Sequence, residues 1–407
     1  MATIAVLGTF DSKGAEHQFL ADQIRLRGHE PLLIDVGTGG PPSIAPHCSR
    51  FDVASAAGLD LPPVLQRADR GECVSAMAAA APVFVRQLVE SGRIAGIVTL
   101  GGSSGTAIGS AAMRALPIGF PKLIVSTMAS GNVAHYVGTK DITIMPSIVD
   151  VAGLNRISRA IFIRAAGAIC GMVEAAATEQ QSSGRPLIVA SMFGNTTKCV
   201  NAAIPLLEQA GYEVLVFHAN GSGGRTMESL IDSGMVAGVL DITTTELADE
   251  LVGGVLTAGP DRVTAAARCG VPAIVTPGCL DMVNFGERSS VAAQFAHRNF
   301  YIHNPQVTLM RTTPDECRQL GRMLAEKVNQ STAPVTFLIP RRAISIISAA
   351  GGAFHDAEAD KALFEAIRET LRPDIPVREL DCEINDAEFA AACVDALLTN
   401  IVACSHR

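Results

Sequence analysis

The sequence predicts an α/β protein of two domains, each built on a mainly parallel sheet, with a ligand cleft between the domains. Three observations carry that reading. The chain has 407 residues, too many for one ordinary core and enough for two domains of roughly 200 residues each. Its composition is 48% hydrophobic but only 4% aromatic, with no Trp, so the core must be built from Val, Ile, Leu and Ala. Such side chains suit helices packed closely on a parallel sheet, whose strands read as continuous apolar runs. Finally, short apolar runs ending in Gly, Ser, Thr or Asn alternate with helical periodicity, which is the βαβ pattern.

In the first half the strands are expected at Thr3–Leu7, Pro31–Val36, Ile94–Leu100, Lys122–Ser126 and Ile142–Met145. Helices fit between them at Lys13–Arg27, Val74–Ser91 and Ala107–Leu116, and a long helix at Asn155–Ala177 closes the domain. The polar stretch Thr178–Pro186 reads as a linker, which sets the domains at residues 1–180 and 186–407. The second half restarts as the first does. Ala5–Phe10 is echoed by Ile188–Phe193, Leu32-Leu33 by Leu215-Val216, and Ile94–Val98 by Val236–Leu240, which predicts a shared topology. Later strands are expected at Ala273–Thr276, Val335–Ile339 and Arg378–Leu380. Helices are expected at Thr196–Ala210, Glu246–Leu251, Pro314–Asn329, Asp356–Leu371 and Asp386–Leu398.

A net charge of −8 and the lack of any Lys/Arg run argue against a nucleic-acid partner. The chain opens directly on a strand without a basic or small-residue leader, so no signal peptide is expected. Every apolar stretch of bilayer length is interrupted by Gly, Pro or a charged residue, so no membrane span is expected. The ten cysteines are scattered, with no C-x-x-C pair, and read as reduced, mostly buried thiols of a cytoplasmic protein.

The sharpest local signal is Leu100-Gly101-Gly102-Ser103-Ser104-Gly105-Thr106, a strand-to-helix turn. Its glycines let the backbone approach an anion, and the following helix offers unpaired N–H groups and its positive dipole end. Any such turn favours Gly and Ser, but three glycines and three hydroxyls exceed what a turn requires. Gly101–Gly105 also fits G-x-S-x-G, a nucleophile elbow with Ser103 as nucleophile, which would need an acid and a His nearby. The Walker A pattern occurs nowhere, nor does G-x-G-x-x-G after the first strand. In the loop Gly8–Glu16, Lys13 is placed to meet a phosphate and Asp11 a metal or hydroxyl, unless Asp11 merely caps a helix.

Small polar loops also end strands at Ser126–Asn132, Phe193–Lys198 and His218–Arg225, the arrangement expected around a ligand cleft. Asp141, Asp241 and Glu246 are candidates for Mg²⁺ or, more simply, for capping. His218 and His303 are candidate acid/base groups or ordinary loop residues. No His pair has zinc-ligand spacing.

At these residues the chain resembles the ATP-binding domain family named after a tomato mosaic virus resistance protein. The resemblance rests on Gly8–Glu16, Gly101–Thr106, Gly138–Asp141, Asp150–Ser158 and His303–Thr313, and covers essentially the whole chain. It implies two Rossmann-like subdomains, a homodimer, and ATP as ligand, with or without Mg²⁺. Plant members look like fusions to a TIM barrel, so a separate TIM-barrel chain is an implied partner. The expected ATP site comprises Gly8, Thr9, Asp11, Lys13, Gly101, Gly102, Ser103, Ser104, Gly105, Thr106, Ser126 and Gly131. The alternatives are a small-molecule enzyme acting on a phosphorylated or acidic metabolite, and a non-catalytic interaction module.

Overall fold

The computed structural model describes residues 1–178 and 184–405. It divides into two units, residues 1–182 and 183–407; the middle of the expected linker, residues 179–183, lies outside the described residues. In chain order the first unit comprises β1 (Thr3–Gly8), α1 (Phe10–Arg25), β2 (Glu30–Asp35), α2 (Arg50–Ala56), α3 (Leu61–Gln66) and α4 (Arg70–Glu90). It continues with β3 (Gly96–Gly101), α5 (Ser103–Arg114), β4 (Lys122–Ser126), α6 (Ala134–Val137), β5 (Thr143–Pro146) and α7 (Arg156–Thr178).

Its five strands are all parallel, in the order β2-β1-β3-β4-β5. The central strands are buried on both faces, which is why they read as unbroken apolar runs. On one face Leu7, Ile97 and Ile124 pack with Met77, Val85 and Ile108. On the other, Val6, Val98 and Val125 pack with Leu20, Phe162 and Ile169. Helices α2 and α3 fill a stretch to which the sequence reading assigned nothing. The first is held by a capping box between Ser49 and Asp52.

The second unit runs β6 (Leu187–Met192), α8 (Thr197–Gln209), β7 (Glu213–His218), α9 (Ser222–Asp232), β8 (Val236–Thr243), α10 (Glu246–Val252) and α11 (Ala265–Cys269). There follow β9 (Ala273–Gly278), β10 (Met282–Phe285), β11 (Phe300–Asn304), β12 (Val307–Arg311), α12 (Pro314–Val328), β13 (Val335–Pro340), α13 (Ala357–Thr370), β14 (Val377–Leu380) and α14 (Ala387–Ser405). Six parallel strands take the order β14-β13-β9-β8-β6-β7, around a core in which Ile188, Leu240, Ile274 and Leu338 meet Phe389 and Leu397. With strands numbered in chain order within each parallel sheet, both sheets begin 2-1-3-4-5. The three sequence echoes fall on equivalent strands: β1 with β6, β2 with β7, and β3 with β8.

A three-stranded antiparallel sheet, β10-β12-β11, is inserted after β9 and was not expected. In its β11–β12 hairpin His303 and Asn304 end β11, and Pro305 and Gln306 make the turn. Among the described residues, α4, α7 and α14 are long and apolar enough to cross a membrane by length and composition. Their interruptions did not prevent that, because the many Ala, Val and Ile residues keep the mean hydropathy high despite several Gly, Pro or charged residues. Each packs within its own unit: α4 against α5, α7 against α1, and α14 against α8. All ten cysteines are free thiols, eight of them buried.

Candidate functional site

In an open parallel sheet the loops leaving two adjacent strands diverge where the winding direction reverses, and ligands bind in the gap at the strands' carboxyl ends. In the first unit that gap lies between β1 and β3. A cavity of ≈ 860 Å³ occupies it, within the range of small-molecule sites. Thr9, Asp11, Ser12 and Lys13 line it from the β1 loop, and Gly102, Ser103, Ser104 and Gly105 from the β3 loop. Thr127, Met128 and Asp150 close one side; Leu65, Ala68, Arg70 and Cys73 form a partly apolar wall on the other.

Helix α5 starts four residues earlier than the periodicity suggests, so Ser103, Ser104 and Gly105 form its first turn. Its N-cap is Gly102, with no side-chain cap. The turn therefore presents the positive end of the helix dipole to the cavity without an internal carboxylate to satisfy it. Arg70 adds a cation at the wall and donates to Ser104 Oγ (3.3 Å).

The β1 loop is held by contacts from distant segments. Asp35, buried at the end of β2, accepts from Phe10 N (3.1 Å), Gly37 N (2.9 Å) and Arg50 Nε (2.8 Å). Asp11 Oδ2 accepts from Gly39 N (2.6 Å), while Asp11 Oδ1 is buried without a hydrogen-bond partner. A Cβ on Gly37 would lie 2.7 Å from Arg50 Nη2 and 2.9 Å from the Asp11 carboxyl carbon, so a side chain there would push both groups away. Lys13 breaks the helical path of α1, at φ −135° and ψ 31°, and its ammonium donates to the Val151 carbonyl. Glu16, one turn on, accepts from Gly153 N (2.5 Å). The two strings Gly8–Glu16 and Asp150–Ser158, distant in sequence, are thus clamped together.

The structure brings Thr9, Asp11, Lys13, Gly102, Ser103, Ser104 and Gly105 to one cavity. Gly8, Gly101 and Thr106 lie buried beneath it. Gly8 accommodates the His17 ring, since a Cβ there would fall 2.0 Å from Nε2; burial holds that imidazole below its ordinary range. Thr106 Oγ1 bonds Ser126 Oγ at 2.6 Å, and Ser126 Oγ accepts from Met128 N (2.9 Å), so this pair ties the β3 and β4 loops together. Ser126 also lines an adjoining recess of ≈ 490 Å³ that shares Thr127 and Asp150 with the main cavity. Gly131 lines neither. Among the described residues no histidine lines the cavity, leaving the nucleophile-elbow reading of Ser103 without its base. Asp141 is elsewhere, paired with buried Lys122 (2.7 Å). The Gly37–Gly39 loop and Arg70 went unnoticed in the sequence, although the dense glycines of Gly37–Gly40 signal a tight loop at a strand end.

In the second unit a buried ion cluster sits at the carboxyl end of β8. Arg262, fully buried, donates to Asp241 (2.6 and 2.7 Å), Glu246 (2.6 Å), Glu228 (3.2 Å) and the Thr243 carbonyl (3.0 Å). Glu246 Oε1 in turn accepts from Gly221 N (2.7 Å) and Gly224 N (3.2 Å) at the start of α9. Glu228 accepts from Val263 N (2.8 Å) and Ala265 N (2.7 Å); even so, burial pushes its carboxyl above the usual range. Asp241 and Glu246, expected as Mg²⁺ ligands or caps of their own helix, are instead the partners of a buried guanidinium that periodicity gives no means of seeing.

Residues 2–178 match the N-terminal domain, and residues 185–401 the C-terminal domain, of a family described as "Uncharacterised protein family (UPF0261)". The chain belongs to the UPF0261 family. A UPF0261 protein of Clostridium tetani is 47% identical over 396 residues, covering 97% of this chain and 98% of its own. A UPF0261 protein of Rhizobium meliloti is 47% identical over 398 residues, with the same coverage. The tomato protein named ToMV resistance protein Tm-1(GCR237) is 38% identical over 415 residues, covering 96% of this chain but 55% of its own length, in keeping with the resemblance drawn from the motifs. Among solved structures, a C2-type ketoreductase from a modular polyketide synthase aligns over 93% of this chain and 80% of its own at 15% identity, with a TM-score of 0.21.

Proposed function

We propose that the first unit of this UPF0261 protein binds a nucleotide, ATP, in the cavity between the β1 and β3 loops. The observation that supports this most directly is the open start of α5, with Gly102 in place of a capping side chain, facing a cavity of ≈ 860 Å³. Phosphates suit the first-turn N–H groups and the Ser103 and Ser104 hydroxyls. Arg70 supplies a counter-charge, and Leu65, Ala68 and Cys73 offer apolar surface to a base. The unpartnered Asp11 Oδ1 is a hard oxygen donor of the kind Mg²⁺ takes. A cytoplasmic homodimer with a separate TIM-barrel partner belongs to the same proposal; light scattering on the purified chain tests the dimer.

Isothermal titration with ATP, with and without Mg²⁺, tests the site on wild type and Gly102→Asp. Gly102 has φ −82°, and an added Cβ meets nothing closer than 3.7 Å. The substitution therefore places a carboxylate at the helix start without straining the backbone. Micromolar binding by wild type, lost in Gly102→Asp, is expected. Absence of binding by wild type overturns the nucleotide reading in favour of another anion; equal binding by both moves the nucleotide elsewhere.

A further inference from the structure

The recess beside the main cavity differs from it in chemistry. Its ≈ 490 Å³ are lined by the hydroxyl residues Ser126, Thr127, Ser130 and Ser147, by the apolar Pro146, Ile148 and Val149, and by one carboxylate, Asp150, with no Lys, Arg or His. A phosphorylated or carboxylated compound would find no counter-charge there. An uncharged compound rich in hydroxyls would find partners for them, because the Thr127, Ser130 and Asp150 side chains have no hydrogen-bond partner among the described residues.

Ile148 is held at φ +63°, a conformation that a β-branched residue adopts only under constraint, and it is 75% exposed. Strain of this kind collects at functional sites, and here it keeps an apolar side chain on the recess wall. Asp150 and Thr127 border both spaces.

We propose that this recess is the acceptor subsite of a phosphotransferase, taking a neutral polyhydroxy compound of sugar size, with Asp150 as the general base. The inference rests on the nucleotide reading of the larger cavity. Asp150 takes the proton of an acceptor hydroxyl, and that oxygen bonds to the γ-phosphorus of ATP. The bond from this phosphorus to the β,γ-bridging oxygen breaks, ADP leaves with that electron pair, and the product is a phosphomonoester. The start of α5 holds the phosphoryl oxygens as charge moves to the leaving group.

The test uses the intact protein with MgATP and a fixed panel of glycerol, erythritol, D-ribose, D-glucose and myo-inositol. ADP release is read with each, binding of each compound is read by saturation-transfer NMR, and ATP affinity is read by titration. At least one compound is expected to bind and to raise ADP release tenfold or more. Ser130→Trp, which fills the recess, is expected to abolish both effects with ATP affinity within threefold of wild type. Asp150→Asn is expected to lower the stimulated rate by about a hundredfold or more while the compound's NMR signal persists.

ATP bound but no compound binding or stimulating overturns the acceptor subsite alone. A loss of ATP affinity in Ser130→Trp makes the recess part of the nucleotide site and overturns it too. An undiminished stimulated rate in Asp150→Asn removes the base. If wild type binds no ATP at all, the nucleotide reading fails first and takes this inference with it.

Discussion

Replacing Arg262 by Met should cost the second unit about 3–5 kcal/mol, the range for breaking a buried ion pair from one side. The guanidinium makes five hydrogen bonds to Asp241, Glu246, Glu228 and the Thr243 carbonyl. Removing it leaves three carboxylates almost out of water with no positive partner. Met keeps much of the apolar stem's volume, so the loss is electrostatic rather than a cavity effect.

The sign with pH follows from that. Burial already pushes Glu228 up against the opposing charge of Arg262; without the guanidinium that opposition is lost, so the protonated fold is favoured. The variant's deficit should be largest near neutral pH and shrink as pH falls toward about 4. Urea unfolding followed by circular dichroism at pH 5 and 8 measures it, and hydrogen exchange on peptides spanning residues 241–265 assigns it to this unit. A deficit below about 1 kcal/mol at pH 8, or one that does not change with pH, would refute the electrostatic argument.

Gly8→Ala puts a methyl into the space of the His17 ring, 2.0 Å from Nε2, and should destabilise the first unit by about 1–3 kcal/mol; an unchanged urea midpoint would show that the ring moves aside freely. Asp249, buried beside Asn284 and near Glu246, is pushed up to about 7 by burial. Its protonated form therefore favours the fold, a contribution that is full below about 4 and lost as pH rises through 7. Carboxyl carbon NMR should find its midpoint near 7, and a midpoint below 5 would show water reaching the group. Thr106→Val removes the buried bond to Ser126 and should cost about 1 kcal/mol, read as a lower urea midpoint.

The strands were legible because doubly buried parallel strands have no alternation to confuse: Ile97–Leu100 and Leu123–Val125 read as apolar runs and proved to be the sheet's centre. Helix ends were less so. Ser103 and Ser104 look like loop residues by composition, yet with Gly102 as N-cap they form the first turn of α5. In the site, Asp11 and Lys13 could be placed at a strand end from sequence, but their partners could not. Gly39 and Val151 lie 28 and 138 residues away along the chain, and nothing local encodes such contacts. Arg262 was invisible for the same reason: a lone arginine after Gly259-Pro260 is indistinguishable in sequence from a solvated one.

The two sheets share a winding order, but the second buries an ion cluster at the carboxyl end of β8. In the second unit the start of α9 is already occupied by Glu246 and the space before it by Arg262, a permanent internal salt. Any anion entering there would have to displace a carboxylate that is tethered and therefore at very high local concentration. On the proposed nucleotide reading the consequence is one of stoichiometry: a single phosphate-bearing guest per polypeptide, held by the first unit.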